Sequence, residues 1–254
     1  MLLVLNMRGG PNHDSVFTFA EQVRYEDING NPMPWAEVRR VVSQGQGCIY
    51  VHGYNVTEAR DAYARIWTNV GHLYAWTLLV LWPGSKVKIG FWPAERRSDM
   101  AGLLLRDVFA LLPCLPPDVE SHSCGCRLGL EAVLAGMKVR HLILAAAAVD
   151  NEKVHMDGRY GAAIAANCAS CMVAHSRNDA VLAKAFRLSS WLKRAARLRF
   201  WGDDCKALGY TGPQNIGKCP VNLKAVNLNG AIHRHGAYKE SEAFFDAWLK
   251  LAGR

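Results

Sequence analysis

The residues best suited to chemistry lie in the stretch Val119-Glu120-Ser121-His122-Ser123-Cys124-Gly125-Cys126-Arg127-Leu128. A strand end runs into small residues and then into helical spacing. Ser123 stands at the centre, with Ser121 and Gly125 two positions to either side. This is the G-x-S-x-G nucleophile elbow with serine in place of the first glycine. A tight strand-to-helix turn lifts the central hydroxyl to its apex, and bulky neighbours two residues away would collide with the backbone there. Gly125 and Gly129 would let the following helix lie close to the sheet. Ser121, two residues earlier, belongs to the strand and faces away from the apex.

A serine hydroxyl is a poor nucleophile until a base accepts its proton, and the base needs an acid to hold its tautomer. After an elbow serine the expected chain order is acid, then histidine. Asp150 and Asp179 each follow an apolar strand pattern, so either is placed to serve as the acid. Asp179 is equally well placed to cap the helix that follows it. His233 and His235 follow the last strand and are the candidate bases. His175 falls within a strand pattern and reads as a buried, hydrogen-bonded residue.

The elements that must carry these residues alternate along the chain. Strands are expected over Leu2 to Asn6, Cys48 to Val51, Thr77 to Trp82, Val119 to His122, His141 to Val149, Ser170 to His175 and Leu223 to Leu228. Helices are expected over Trp35 to Val42, from about Thr57 through Val70, and over Ala101 to Leu112, Arg127 to Ala135, Met156 to Ala166 and Val181 to Ser189. A last helix carries Phe244, Trp248 and Leu251. Val16 to Arg24 suits either a strand or a short helix. Strands that are apolar throughout, separated by helices, predict an α/β fold: a mostly parallel sheet covered on both faces. Active sites of such sheets lie at the carboxyl ends of the strands. There stand His52-Gly53-Tyr54, Pro83-Gly84, Ser123, Asp150, Asp179 and the histidines.

The length of 254 residues suits one large domain with a full core. No apolar run reaches the roughly 18 residues of a membrane span, and Met1 to Leu5 reads as a strand rather than a signal peptide. With no leader expected, the eight cysteines read as reduced thiols in a cytoplasm, mostly acting as small apolar residues. Cys168-Ala-Ser-Cys171 has metal spacing but lacks a second pair, so no metal or cofactor is expected. Cys205 and Cys219 would pair only in an exported protein. The net charge of +8 favours anionic partners only weakly, and no zinc-finger, basic-zipper or RNA-binding pattern accompanies it, so nucleic acid is not expected.

Five segments in order resemble the α/β-hydrolase superfamily, and within it the DUF900-type hydrolases of unknown function. They are the apolar strand leading to His52-Gly53-Tyr54-Asn55, then Leu81-Trp82-Pro83-Gly84-Ser85, His122-Ser123-Cys124-Gly125, His175-Ser176-Arg177-Asn178-Asp179, and His235-Gly236-Ala237-Tyr238. They cover the chain from about Cys48 onward. Cys124 departs from the larger apolar residue often found there. The resemblance implies Ser123 as nucleophile, Asp179 as acid and His235 as base, with the backbone N–H groups of Tyr54 and Cys124 as oxyanion donors. It also implies a substrate pocket near His52, Trp82 and Tyr238, with His52 bonded locally to shape its loop.

The implied activity is hydrolysis of small-molecule carboxylic esters through an acyl-enzyme. Acyl transfer or thioester cleavage by the same residues is the alternative, and a silent binding module of the same fold is the rival from another class. A single domain over residues 1–254 is expected, with a small cap around residues 183–222. Within it Arg187, Lys193, Arg194, Arg197 and Arg199 would offer contact with an anionic or lipid surface.

Overall fold

A computed structural model describes residues 1–9, 14–54, 59–84, 91–186 and 206–253. The basic stretch from Arg187 to Arg199, and with it the centre of the expected cap, lies outside the described residues, as do Asn55, Ser85 and Cys205.

The continuous apolar runs form the interior of one eight-stranded sheet. In chain order its strands are β1 (Leu2–Asn6), β4 (Arg24–Glu26), β5 (Gly47–Val51), β6 (Trp76–Leu81), β7 (Asp118–His122), β8 (Val139–Ala145), β9 (Cys168–His175) and β10 (Leu223–Asn227), ordered β10-β9-β8-β7-β5-β6-β1-β4 across the sheet. β2 (Arg8–Gly9) and β3 (Ser15–Val16) form a separate two-stranded ribbon. Every pair in the large sheet is parallel except β1 with the edge strand β4. Parallel strands need crossover connections, so helices cover both faces.

The helices are α1 (Trp35–Val42), α2 (Ala59–Val70), α3 (Phe91–Ala110), α4 (Gly125–Leu134), α5 (Gly161–Asn167), α6 (Leu208–Thr211) and α7 (Glu242–Leu251). On one face α4 packs on β7, with α3 and α5 beside it. On the other, the Trp248 indole of α7 donates to the Tyr74 hydroxyl at 3.2 Å, and that hydroxyl donates to Asp118 of β7 at 2.6 Å. Two glycines let α4 approach closely. A Cβ on Gly125 would stand 2.4 Å from the His52 carbonyl oxygen, and one on Gly129 would stand 2.7 Å from Ser121 Oγ. That places Ser121 under α4, away from the turn apex.

The structure corrects several expected elements. α3 begins at Phe91 rather than Ala101. Its charged first half is held by Arg127, which pairs with Glu95 and Asp99, so tertiary ion pairs replace the missing apolar stripe. β8 ends at Ala145, because Ala146 turns the chain with φ 51°, and Ala147 and Val149 then receive hydrogen bonds from α6. The helix expected from Met156 begins only at Gly161. In place of its first turns, the chain folds back so that the Tyr160 N–H bonds the Lys153 carbonyl, and the Tyr160 hydroxyl donates to Glu131 at 2.7 Å. Val16 to Arg24 is neither strand nor helix throughout; it gives a short 3-10 turn and leads into the edge strand β4.

Candidate active site

β7 delivers Ser123 into a left-handed backbone conformation with φ 56°, a costly geometry for a residue with a side chain. The turn is clamped from β8. The Ser123 N–H donates to the Ala145 carbonyl at 2.9 Å, and the Ala148 N–H donates to the Ser123 carbonyl at 3.2 Å. α4 starts two residues later. Strand, left-handed serine and helix form the elbow, set at the carboxyl edge of a parallel sheet with its neighbours in the order described. The fold is α/β, with a mostly parallel sheet, as the alternating elements predict.

Asp179 and His235 reach the elbow from the loops that follow β9 and β10. Asp179 follows β9, fully buried. Its Oδ1 accepts the Leu182 N–H at 3.1 Å, and its Oδ2 lies 2.7 Å from His235 Nδ1, so it caps a turn and holds a histidine at once. A carboxylate only accepts, so Nδ1 carries the proton and Nε2 presents its lone pair. That lone pair faces Ser123 Oγ at 2.8 Å.

Two further contacts tie the acid loop to the histidine loop. The Ser176 hydroxyl donates to the Ile232 carbonyl at 2.9 Å, and the Asn178 amide donates to the Asn229 carbonyl at 2.6 Å. The rival residues lie elsewhere. Asp150 pairs with Lys153 at 2.7 Å, and His233 is exposed. His175 departs from the buried, hydrogen-bonded residue expected. It is half-buried with no partner at Nδ1, because it sits at the strand's open end against the Gly212 turn.

β5 supplies the facing turn. A Cβ on Gly53 would lie 3.0 Å from Ser123 Cβ, so the backbone of this turn runs directly beside the elbow. Tyr54 follows it, half-buried, while Cys124 is buried next to Ser123. His52 shapes the turn. Its Nδ1 donates to the Gly53 carbonyl at 2.8 Å, its ring stacks on Trp82, and the Trp82 indole donates to the His52 carbonyl at 2.8 Å. Burial pushes the His52 pKa down to about 3, so the ring is neutral at ordinary pH. His52, Trp82 and Tyr238, expected to line a substrate pocket, are instead fully buried. They pack beneath the site, because each aromatic ring is consumed by contacts with its neighbours.

Sequence reasoning passed over three polar residues. His122, Glu120 and Asp118 share one face of β7, because alternate residues of a strand point the same way. His122 Nε2 lies 2.9 Å from the His235 carbonyl oxygen. Burial, reinforced by repulsion from His235 and Lys239, pushes the His122 pKa well down. Burial pushes Glu120 up to about 8, opposed by attraction to Lys239. The available signal was three polar side chains at period two in a central strand, where apolar residues are the rule.

The best-formed cavity among the described residues lies away from this site. An open pocket of about 580 Å³ is lined by Val23, Tyr25, Met33, Trp35, Arg39 and Leu111 at the β4 edge, and no residue of the serine–histidine–aspartate chain borders it. Among the described residues no group of histidine, cysteine and carboxylate side chains is placed to hold a metal ion. Cys168 and Cys171 are buried free thiols on β9. No described helix is long and apolar enough to cross a membrane.

No protein-family model and no curated protein matches the chain, so the narrower likeness to DUF900-type hydrolases rests on the sequence motifs alone. Two solved structures resemble it over most of its length. One is Est1E from Butyrivibrio proteoclasticus with ferulic acid bound, at 14% identity and a TM-score of 0.49, covering 84% of this chain and 91% of that one. The other is Est1E from the same organism, at 12% identity and a TM-score of 0.47, covering 84% of this chain and 90% of that one.

Proposed function

We propose that this chain is a serine hydrolase that cleaves carboxylic esters through an acyl-enzyme. The observation that carries this is the continuous hydrogen-bonded path from Asp179 Oδ2 through His235 to Ser123 Oγ, at 2.7 and 2.8 Å, with the serine held in a left-handed turn. In the first half-reaction Ser123 Oγ attacks the ester carbonyl while His235 Nε2 takes its proton. Asp179 keeps the proton of Nδ1 in place and stabilises the imidazolium that forms. The N–H groups of Cys124 and Tyr54 are assigned to the oxyanion, the first from the helix start and the second from the turn beside it; one such donor is typically worth about 10²–10³ in turnover. Collapse expels the alcohol, which takes the proton from His235. Water, deprotonated by the same nitrogen, then releases the acid and restores Ser123.

The test is hydrolysis of p-nitrophenyl esters from short to long acyl chains by the wild type and by Ser123→Ala, with folding followed by circular dichroism. The folded Ser123→Ala protein is expected to lose at least about 10⁴-fold in kcat. Retention of the wild-type rate would remove Ser123 from the mechanism. Acyl transfer to an added thiol or alcohol in preference to water would move the assignment to an acyltransferase built on the same residues.

A further inference from the structure

We propose that His122 is a positioning residue for His235, its Nε2–H holding the main-chain carbonyl of the histidine whose ring meets Ser123. The inference rests on the hydrolase mechanism just described and adds a residue to it. Three observations carry it. His122 Nε2 stands 2.9 Å from the His235 carbonyl oxygen, and a carbonyl only accepts, so the proton of the neutral ring is on Nε2. Its Nδ1 is buried and has no partner, which fits a lone pair rather than an N–H at that atom. The two imidazole centroids lie 4.9 Å apart and the Tyr238 ring stands edge-on at 6.2 Å, so the buried His122 ring is packed against both.

The mechanical consequence follows from where His122 sits. It precedes Ser123 on a rigid central strand, whereas His235 belongs to the loop between β10 and a 3-10 turn over Ala237–Glu240. Asp179 grips the His235 ring at Nδ1, and His122 grips the backbone of the same residue. Base and nucleophile are thus referred to adjacent residues of one strand. Errors of even about 1 Å in such a placement cost on the order of 10²-fold. The groups facing His122 are His235, Lys239 and the neutral His52; burial, with repulsion from His235 and Lys239 when they carry charge, keeps the ring neutral.

The experiment has two independent arms. In ¹⁵N-histidine spectra, with the His122 signals assigned by their absence in His122→Gln, the ring is expected neutral and Nε2-protonated from pH 5 to 8. A charged ring, or a proton on Nδ1, overturns the inference whatever the enzyme does. In the kinetic arm, His122→Phe is expected to lower kcat by about 10–100-fold with little change in KM, because a misplaced base affects the chemical step. His122→Gln, whose amide places an N–H near the lost Nε2, should recover to within a few-fold of wild type.

A purely structural role would show instead as a lowered melting temperature with no difference in kcat between folded Phe and Gln variants, and that result overturns the proposal. Fluorophosphonate labelling of Ser123 separates the two levels. Labelled and active wild type with an unimpaired His122→Phe defeats only the positioning role. Wild type that neither labels nor hydrolyses defeats the hydrolase mechanism, and the kinetic role of His122 falls with it.

Discussion

The two ends of β7 carry buried carboxylate clusters that look alike in composition and differ in what they leave unspent. At the amino end, Asp118 is fully buried and accepts from the Tyr74 hydroxyl at 2.6 Å and from two nitrogens of Arg140 at 2.7 Å each. Tyr74 in turn receives the Trp248 indole, so the cluster ties the segment before β6 to β7, β8 and α7. At the carboxyl end, Asp179 is equally buried, but its one charged-state partner is a histidine whose far nitrogen faces a serine hydroxyl. Arg140 is a permanent cation and compensates Asp118 in every state. A neutral imidazole compensates Asp179 only once it has taken up a proton, so in the proposed mechanism the second cluster would be completed by the reaction itself. Saturation suits a cluster to stability, and a proton vacancy beside a fixed negative charge suits one to the proposed proton transfer.

The same substitution at the two ends sharpens the contrast most. Asp179→Asn preserves an oxygen for the Leu182 N–H but turns an N–H toward His235 Nδ1. The imidazole then carries its proton on Nε2 and can no longer accept from Ser123. We expect a fall of about 10⁴-fold in kcat with a nearly unchanged melting temperature. Asp118→Asn should do the reverse. It leaves the Arg140 guanidinium without its counter-charge, and because the Arg140 side chain is 28% exposed the cost is partly relieved by water. The expected loss is about 2–3 kcal/mol, or roughly 5–10 °C in melting temperature, with kcat per folded molecule unchanged. If both variants lose activity and stability together, the two clusters are not separable and the comparison fails.

This division was only partly visible in the amino-acid order. The elbow was legible because the turn demands small residues at fixed offsets, and Ser121, Gly125 and Gly129 obey that demand locally. The acid was not decided by pattern, since Asp150 and Asp179 both follow buried strands. A salt bridge to Lys153 occupies one and a histidine the other, and both partners are set by tertiary structure. The early start of α3 was hidden because its charged turns are stabilised by Arg127, 28 residues or more away in the chain. Strand β4 was hidden because three residues at a sheet edge carry too little periodicity. Asp118, Glu120 and His122 were in plain view as a period-two row. Their burial contradicts the apolar rule for a central strand, and such contradictions are where structural or functional demands override local preference.

Glu120, midway between the two ends, gives the smallest and most specific test of the contrast. Its Oε2 is buried without a partner, and its neighbour in register on β5, Tyr50, also has an unpartnered hydroxyl. Lys239, half-buried over the Tyr50 ring at 5.3 Å from its centroid, is the cation that attracts it. Burial raises the Glu120 pKa to about 8, whereas an unfolded glutamate titrates near 4.3. Between those values the folded chain holds a proton that the unfolded chain has released. The contribution to stability is therefore complete below about pH 4.3 and is lost as pH rises toward and through about 8. The full slope is about 1.4 kcal/mol per pH unit, so the loss between pH 6 and pH 8 should be about 2 kcal/mol. His52 acts with the opposite sign: its pKa is depressed to about 3, so its contribution is present above pH 6.5 and is lost as pH falls. His52 and His122, both depressed, add stability over part of the same range, so the test is a difference in urea unfolding. Relative to Glu120→Gln, the wild type should lose about 2 kcal/mol between pH 6 and pH 8, while the acid-side loss is common to both. An unchanged alkaline slope in Glu120→Gln would mean that Glu120 is ionised in the folded protein and paired with Lys239. The middle of β7 would then be a third saturated cluster like that of Asp118, leaving the elbow end as the part of the strand that holds chemistry in reserve.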